Sequence, residues 1–85
     1  MSPTSRAVDA LVELDEQGGS LCPPDTDLFT WSDDVLHDLA RLAELVGSAA
    51  QRVTGARNSA IERQACALST TLAAQGNLQT LHRHG

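Results

Sequence analysis

Residues 35–53, which read VLHDLARLAELVGSAAQRV, contain the clearest structural pattern in the chain. Apolar residues recur in this stretch every three or four positions, a spacing that places them on one stripe of an α-helix. The stripe consists of Val35, Leu39, Leu42, Val46, Ala49 and Val53. With the apolar residues that flank it, the stripe covers about half of the helix circumference. The pattern therefore predicts a helix that contacts two neighbours.

The residues just before this stretch predict where the helix begins. Ser32 is a favourable N-cap, and the carboxylates that follow it stabilise the positive end of the helix dipole. Trp31 would then lie outside the cap and pack over Leu36 as a hydrophobic staple. We expect a helix over 32–54.

A second helix follows closely along the chain. Ser59 and Glu62 match the capping-box pattern, and a narrower apolar stripe follows them at Ile61, Ala65, Leu68 and Leu72. Gly76 is placed to end this helix, which predicts a helix over 59–75 and a tail over 76–85. Gly55 lies between the two helices and favours a helical hairpin. One unbroken helix over 32–75 is the alternative, because a glycine inside a helix costs only about 1 kcal/mol.

The N-terminal part predicts one more helix, over 5–17, capped by Ser5 or by Ser2 ahead of a proline. A loop over 18–31 follows, marked by two glycines and by Pro23-Pro24. The fold class is therefore all-α: a single small domain, 1–85, built as a helical hairpin with an additional N-terminal helix.

The length of 85 residues and the alanine-rich helices limit the core that one chain can bury. We therefore expect the fold to be completed as a homodimeric helical bundle. The residues expected to mediate self-association are the apolar positions of the two helices. They are Val35, Leu36, Leu39, Leu42, Val46, Ala49, Val53, Ile61, Ala65, Leu68 and Leu72.

The net charge of −5 is unevenly distributed along the chain. Residues 1–38 contain nine acids and one arginine, a net charge of −8, whereas residues 39–85 contain five arginines and two glutamates, a net charge of +3. The acidic half is suited to a basic partner, and the polarity also favours head-to-tail contact between copies.

The composition also predicts where the protein resides. The N-terminus lacks the basic region and apolar run of a cleaved secretory signal. The longest apolar run, residues 65–68, is far shorter than the ~20 residues of a membrane span. With two cysteines and no such signal, we expect a cytoplasmic protein. Arginine without lysine is typical of a GC-rich, bacterial genome.

Conventional metal ligands are present but lack the close pairing of a structural zinc site. They are Cys22, Cys66, His37, His82 and His84. We predict no metal and no cofactor. The two cysteines are consistent with free thiols or with a disulfide. An enzyme or metal protein that uses His37 or this Cys/His set is one alternative function, and a DNA-binding regulator that uses the Arg52–Arg63 region is another.

The segment that starts the long helix is the best candidate for partner binding. It sets bulky apolar side chains among carboxylates, an arrangement suited to an apolar groove with a basic rim. Its residues are Asp27, Leu28, Phe29, Trp31, Asp33 and Asp34. The alternative is that the two aromatic rings close the end of the chain's own bundle. The sequence favours a non-enzymatic protein–protein interaction module, such as a small regulator, adaptor or assembly subunit.

Overall fold

The computed structural model describes the backbone of residues 2–84 and the side chains of residues 2–77. Its helices are α1 (Pro3–Gln17), α2 (Leu28–Thr54) and α3 (Ser59–His84), with a short 3-10 helix at Gly18–Leu21. The all-α prediction is confirmed. No helix in the described part of the chain has the length and apolar character needed to cross a membrane.

Two of the three helix starts differ from those predicted. Ser2, ahead of Pro3, caps α1, which was one of the two predicted caps. Helix α2 begins at Leu28 rather than at Ser32, because the Asp27 carboxylate accepts a hydrogen bond from the Thr30 backbone N–H at 3.1 Å. Ser32 therefore lies inside the helix, where its hydroxyl donates to the Phe29 carbonyl. Trp31 is also helical, so the predicted staple over Leu36 is wrong.

The capping box predicted for α3 is also wrong. Asn58 caps this helix, since its side-chain oxygen accepts hydrogen bonds from the backbone N–H groups of Ala60 and Ile61 at 3.0 and 3.2 Å. Glu62 instead pairs with Arg57, whose Nε lies 3.2 Å from both carboxylate oxygens. The start at Ser59 is as predicted, but its cause is the residue before it.

Helices α2 and α3 form an antiparallel hairpin that turns at Gly55. Gly55 has φ +69° and its N–H donates to the Gln51 carbonyl, the left-handed ending that glycine favours. The single-helix alternative is therefore wrong. Helix α3 does not end at Gly76, where the sequence predicted its stop, and continues to His84. Gly76 is instead a point of close approach: a Cβ there would lie 2.9 Å from the His37 ring.

The contact between α2 and α3 is made by small residues, which we call the small-residue seam. A Cβ placed on Gly47 would lie only 2.7 Å from the Ala65 Cβ, so the two helices approach each other closely there. Among residues 2–77, Ala40 and Ala43 are the buried hydrophobic residues, and no large side chain is fully buried. The seam consists of Ala40, Ala43, Gly47, Ala65, Ser69 and Gly76.

Helix α1 lies on the other side of α2. An apolar cleft of about 270 Å³ separates the two helices, and Leu14, Leu39 and Leu42 are among the residues that line it. Ala40 belongs to the seam with α3, and Leu42 lines the cleft toward α1. Because these residues are two positions apart, their side chains project about 160° apart around the axis of α2. The three helices therefore lie side by side with α2 in the middle, which agrees with a width of 32 Å and a thickness of 15 Å. No residue of α1 is buried.

Gly47→Ala should loosen the hairpin. The added methyl group forces the helices apart at a cost of about 1–3 kcal/mol, which exceeds the gain in helix propensity of about 1 kcal/mol. Urea unfolding followed by circular dichroism should show a net loss of stability. The loss should shrink when Ala65→Gly is already present, whereas the exposed control Ser48→Ala should have little effect. Equal losses in both backgrounds would contradict the seam.

Gly55→Ala should lower the free energy of unfolding by about 1 kcal/mol, because an L-residue is strained at positive φ. No atom lies within 4 Å of the added Cβ, so the effect reports backbone conformation alone. Gly19→Ala is the matched control, since Gly19 lacks a positive φ and its Cβ would meet Leu28 at an ordinary 3.6 Å. Thermal melts compare the two; a higher Tm for Gly55→Ala would argue against the turn.

Candidate interaction surface

The large apolar side chains of the molecule are concentrated on one broad side. The other side carries polar side chains, among them Asp34 and Arg41 of α2, and there the Ser69 hydroxyl of α3 donates a hydrogen bond to Glu44 of α2. We call it the polar side. At about 100° per residue, the opposite side of α2 presents apolar residues from its first turn to its last. We call this opposite side the apolar face. It comprises Val8 and Leu11 of α1, Leu28, Phe29, Leu36, Leu39, Val46 and Val53 of α2, and Leu68 of α3.

Much of this apolar face is open to solvent. Val46 is 65% exposed and Val53 is 86% exposed. Helix α1 has 15 residues and α2 has 27, so α1 covers only part of α2 and leaves these two valines open. At 1.5 Å per residue the difference in length is about 18 Å. Nine large hydrophobic residues are exposed among residues 2–77. Of these, Leu45 alone lies on the polar side, and Val12 lies at the outer edge of the apolar face.

The stripe predicted for self-association is therefore divided. Val35, Leu39 and Leu42 line the cleft toward α1, whereas Val46, Ala49 and Val53 continue beyond it into solvent. On α3, Ile61, Ala65 and Leu72 are half-buried on the side toward α2, and Leu68 is exposed. The sequence pattern identified these positions as apolar contacts, but several of them make contacts within one chain.

The segment predicted to bind a partner lies at the first turns of α2. Leu28 and Phe29 are exposed and belong to the apolar face, whereas Trp31 is half-buried. Asp27 is occupied as the N-cap, Asp33 is buried, and Asp34 is exposed on the polar side. The six residues therefore do not form one group. Leu28 and Phe29 face solvent, whereas the Asp27 carboxylate has a structural role as the N-cap.

Charge is segregated between the two ends of the molecule. The end that carries the loop at residues 22–27, the loop end, has exposed carboxylates from α1, the loop and α2. They are Glu13, Asp15, Glu16, Asp25, Asp27, Asp34 and Asp38. The other end, the hairpin tip around residues 52–63, carries exposed Arg52, Arg57 and Arg63 with Glu62.

The basic region is less available to phosphate than its sequence indicated. Arg57 is paired with Glu62, and Arg63 donates to the Ser59 carbonyl at 3.4 Å. Arg52 lines a broad open depression of about 810 Å³ on the polar side of the tip, but both glutamates of the hairpin line it too. This mixture of charges does not form the continuous basic stripe that nucleic-acid binding requires.

The candidate groups for chemistry are dispersed. His37 Nδ1–H donates to the Asp33 carbonyl at 2.7 Å, a contact within one helix. Cys22 and Cys66 are free thiols, and the Cys22 thiol donates to the Thr26 carbonyl at 3.4 Å. In the described part of the chain, no group of three metal-ligating side chains is close enough to hold an ion. The side chains of His82 and His84 lie outside the described residues.

Comparisons with known proteins add no family to this description. No protein-family model matches the chain, and no curated protein or solved structure matches it significantly. The class that can be stated is structural: a small all-α protein with a hairpin joined by small residues and a third helix beside it.

Asp27→Ala should lower stability by about 1 kcal/mol, because α2 then loses the oxygen that accepts the Thr30 N–H. Asp25→Ala removes the same charge from the same loop and serves as the control. Chemical denaturation of both variants distinguishes a lost cap from a change in net charge. Equal stability of the two variants would argue against the cap.

Proposed function

We propose that the protein is a non-enzymatic protein–protein interaction module whose apolar face is the binding surface. The proposal rests on the contrast between a hydrophobic core made of small side chains and a surface that exposes large ones. Two alanines are the buried hydrophobic residues in the described part of the chain, whereas eight large apolar side chains on or beside one face are exposed. Soluble proteins rarely expose broad apolar patches unless another surface covers them.

The exposed side chains fit the anatomy of an interface. Phe29 is 55% exposed at the loop end, and Val46 and Val53 follow it along α2, which gives a row of anchors about 36 Å long. Aromatic and aliphatic anchors of this kind contribute most of the affinity at protein interfaces. The polar side, by contrast, has one exposed large hydrophobic residue, Leu45, among the side chains that the structure describes.

The carboxylates of the loop end supply selectivity in this proposal. They surround the Leu28–Phe29 end of the apolar face and favour a partner with basic residues at the corresponding position. Contacts between exposed charges add little affinity, but they raise the association rate and penalise partners of the wrong charge. The acidic half would therefore recognise the partner, and the apolar face would hold it.

Two neighbouring residues allow a controlled test. Val46→Ser removes an anchor from the apolar face, whereas Leu45→Ser makes a similar change one residue away on the polar side. Each tagged chain is isolated from its native host, and the proteins that remain bound, including untagged copies, are compared. We expect Val46→Ser to lose partners that Leu45→Ser keeps, because only Val46 lies on the binding surface. Equal retention by both variants would contradict the proposal, and circular dichroism checks that both chains fold.

A further inference from the structure

The single chain exposes more surface than a compact monomer of its mass, and the excess indicates how much surface a partner can cover. Monomeric proteins of this mass expose about 4,900 Å² of surface. This chain of 9.0 kDa exposes 6367 Å², which is about 1,500 Å² more. Obligate homodimers bury about 1,000–2,500 Å² on each chain, so the excess equals what one such interface removes.

The overall shape supports the same conclusion. The radius of gyration is 14.9 Å, whereas a compact domain of this length has about 12 Å. Helical domains are normally built from at least two packed layers around a core, and here the three helices lie side by side. A second layer placed on the apolar face would provide the missing core.

We infer that the occupant of the apolar face is a second copy of this chain, stacked face to face so that the two α2 helices run antiparallel. This inference rests on the proposed function and names the partner that the binding surface takes. The same face on both copies makes a closed, two-fold symmetric contact, which is the most common form of oligomer.

Charge determines the orientation. In the antiparallel arrangement, the acidic loop end of each chain lies over the hairpin tip of the other, where Arg52, Arg57 and Arg63 are exposed. A parallel arrangement would place the two acidic loop ends together, and like charges across an interface destabilise it. The described loop end has seven exposed carboxylates, so a parallel stack would bring fourteen of them together at one end of the dimer.

The first test is the oligomeric state of the purified full chain. Sedimentation equilibrium at micromolar concentration should give twice the chain mass of 9.0 kDa. Val46→Ser should raise the dimer Kd by about tenfold or more, because a symmetric interface loses the buried group twice. Leu45→Ser should leave the Kd unchanged. A monomer at about 100 μM, well above the micromolar Kd of an ordinary complex, would overturn the inference.

The second test is the orientation. In a chain with Cys22→Ser and Cys66→Ser, Phe29→Cys and Val53→Cys are made separately, and the two proteins are mixed and oxidised. An antiparallel dimer should form the mixed disulfide much faster than either homodisulfide, because residues near opposite ends of α2 then meet. Efficient linkage of Val53→Cys to itself would overturn the antiparallel stack. Sedimentation of each reduced variant confirms that it still associates.

A third measurement examines the charge argument. At about 1 M salt the Debye length falls to about 3 Å, so the attraction between loop end and hairpin tip is screened. Because two copies of net charge −5 also repel each other, the salt dependence is compared with that of Arg52→Gln, and the association rate of the unchanged chain should rise less, or fall more, with salt than the rate of the variant. An equal salt dependence of the two chains would contradict charge complementarity between the copies. If the chain is monomeric and Val46→Ser still loses a host protein, the proposed function stands and the inference of a second copy fails.

Discussion

The close approach of α2 and α3 determines how the other side chains of the molecule are arranged. Gly47 lies against Ala65, and Gly76 lies against His37, so each helix has a small residue where the other comes nearest. Helices separated by small side chains lie closer together than helices separated by leucines. The hairpin therefore packs closely at these positions, and no large side chain among residues 2–77 is fully buried.

The small-residue seam determines which side chains of α2 lie outside the hairpin contact. Because alanine and glycine occupy the seam, the valines and leucines of α2 point toward α1 or toward solvent. Burial of alanine contributes much less transfer free energy than burial of leucine, so the seam orients the helices more than it stabilises them. The missing hydrophobic stabilisation has to come from another surface. For this reason the open apolar face is a central feature of the molecule.

Two helix caps predicted from the sequence were wrong for a common reason. Two residues are suitable as caps at the start of α2 and two at the start of α3. The structure uses Asp27 instead of Ser32 and Asn58 instead of Ser59. Both pairs have suitable side chains, and a cap energy of about 1 kcal/mol distinguishes them poorly from sequence alone. Gly76 was interpreted as a helix end, but its small volume is required by the His37 ring of another helix. No local pattern contains that information.

The helical class, the turn at Gly55 and the apolar stripe of α2 could be predicted from local sequence, because each depends on residues that are close along the chain. The 3.6-residue period and the need for glycine at positive φ are local properties. The side of α2 that packs against α3 could not be predicted in this way and is seen only in the packed helices. The hydrophobic pattern favours the stripe that contains Leu39 and Val46, whereas the helices meet through Ala40 and Gly47. The reason is steric: the distance of closest approach depends on side chains from both helices, and one helix read alone does not show where its neighbour requires a small residue.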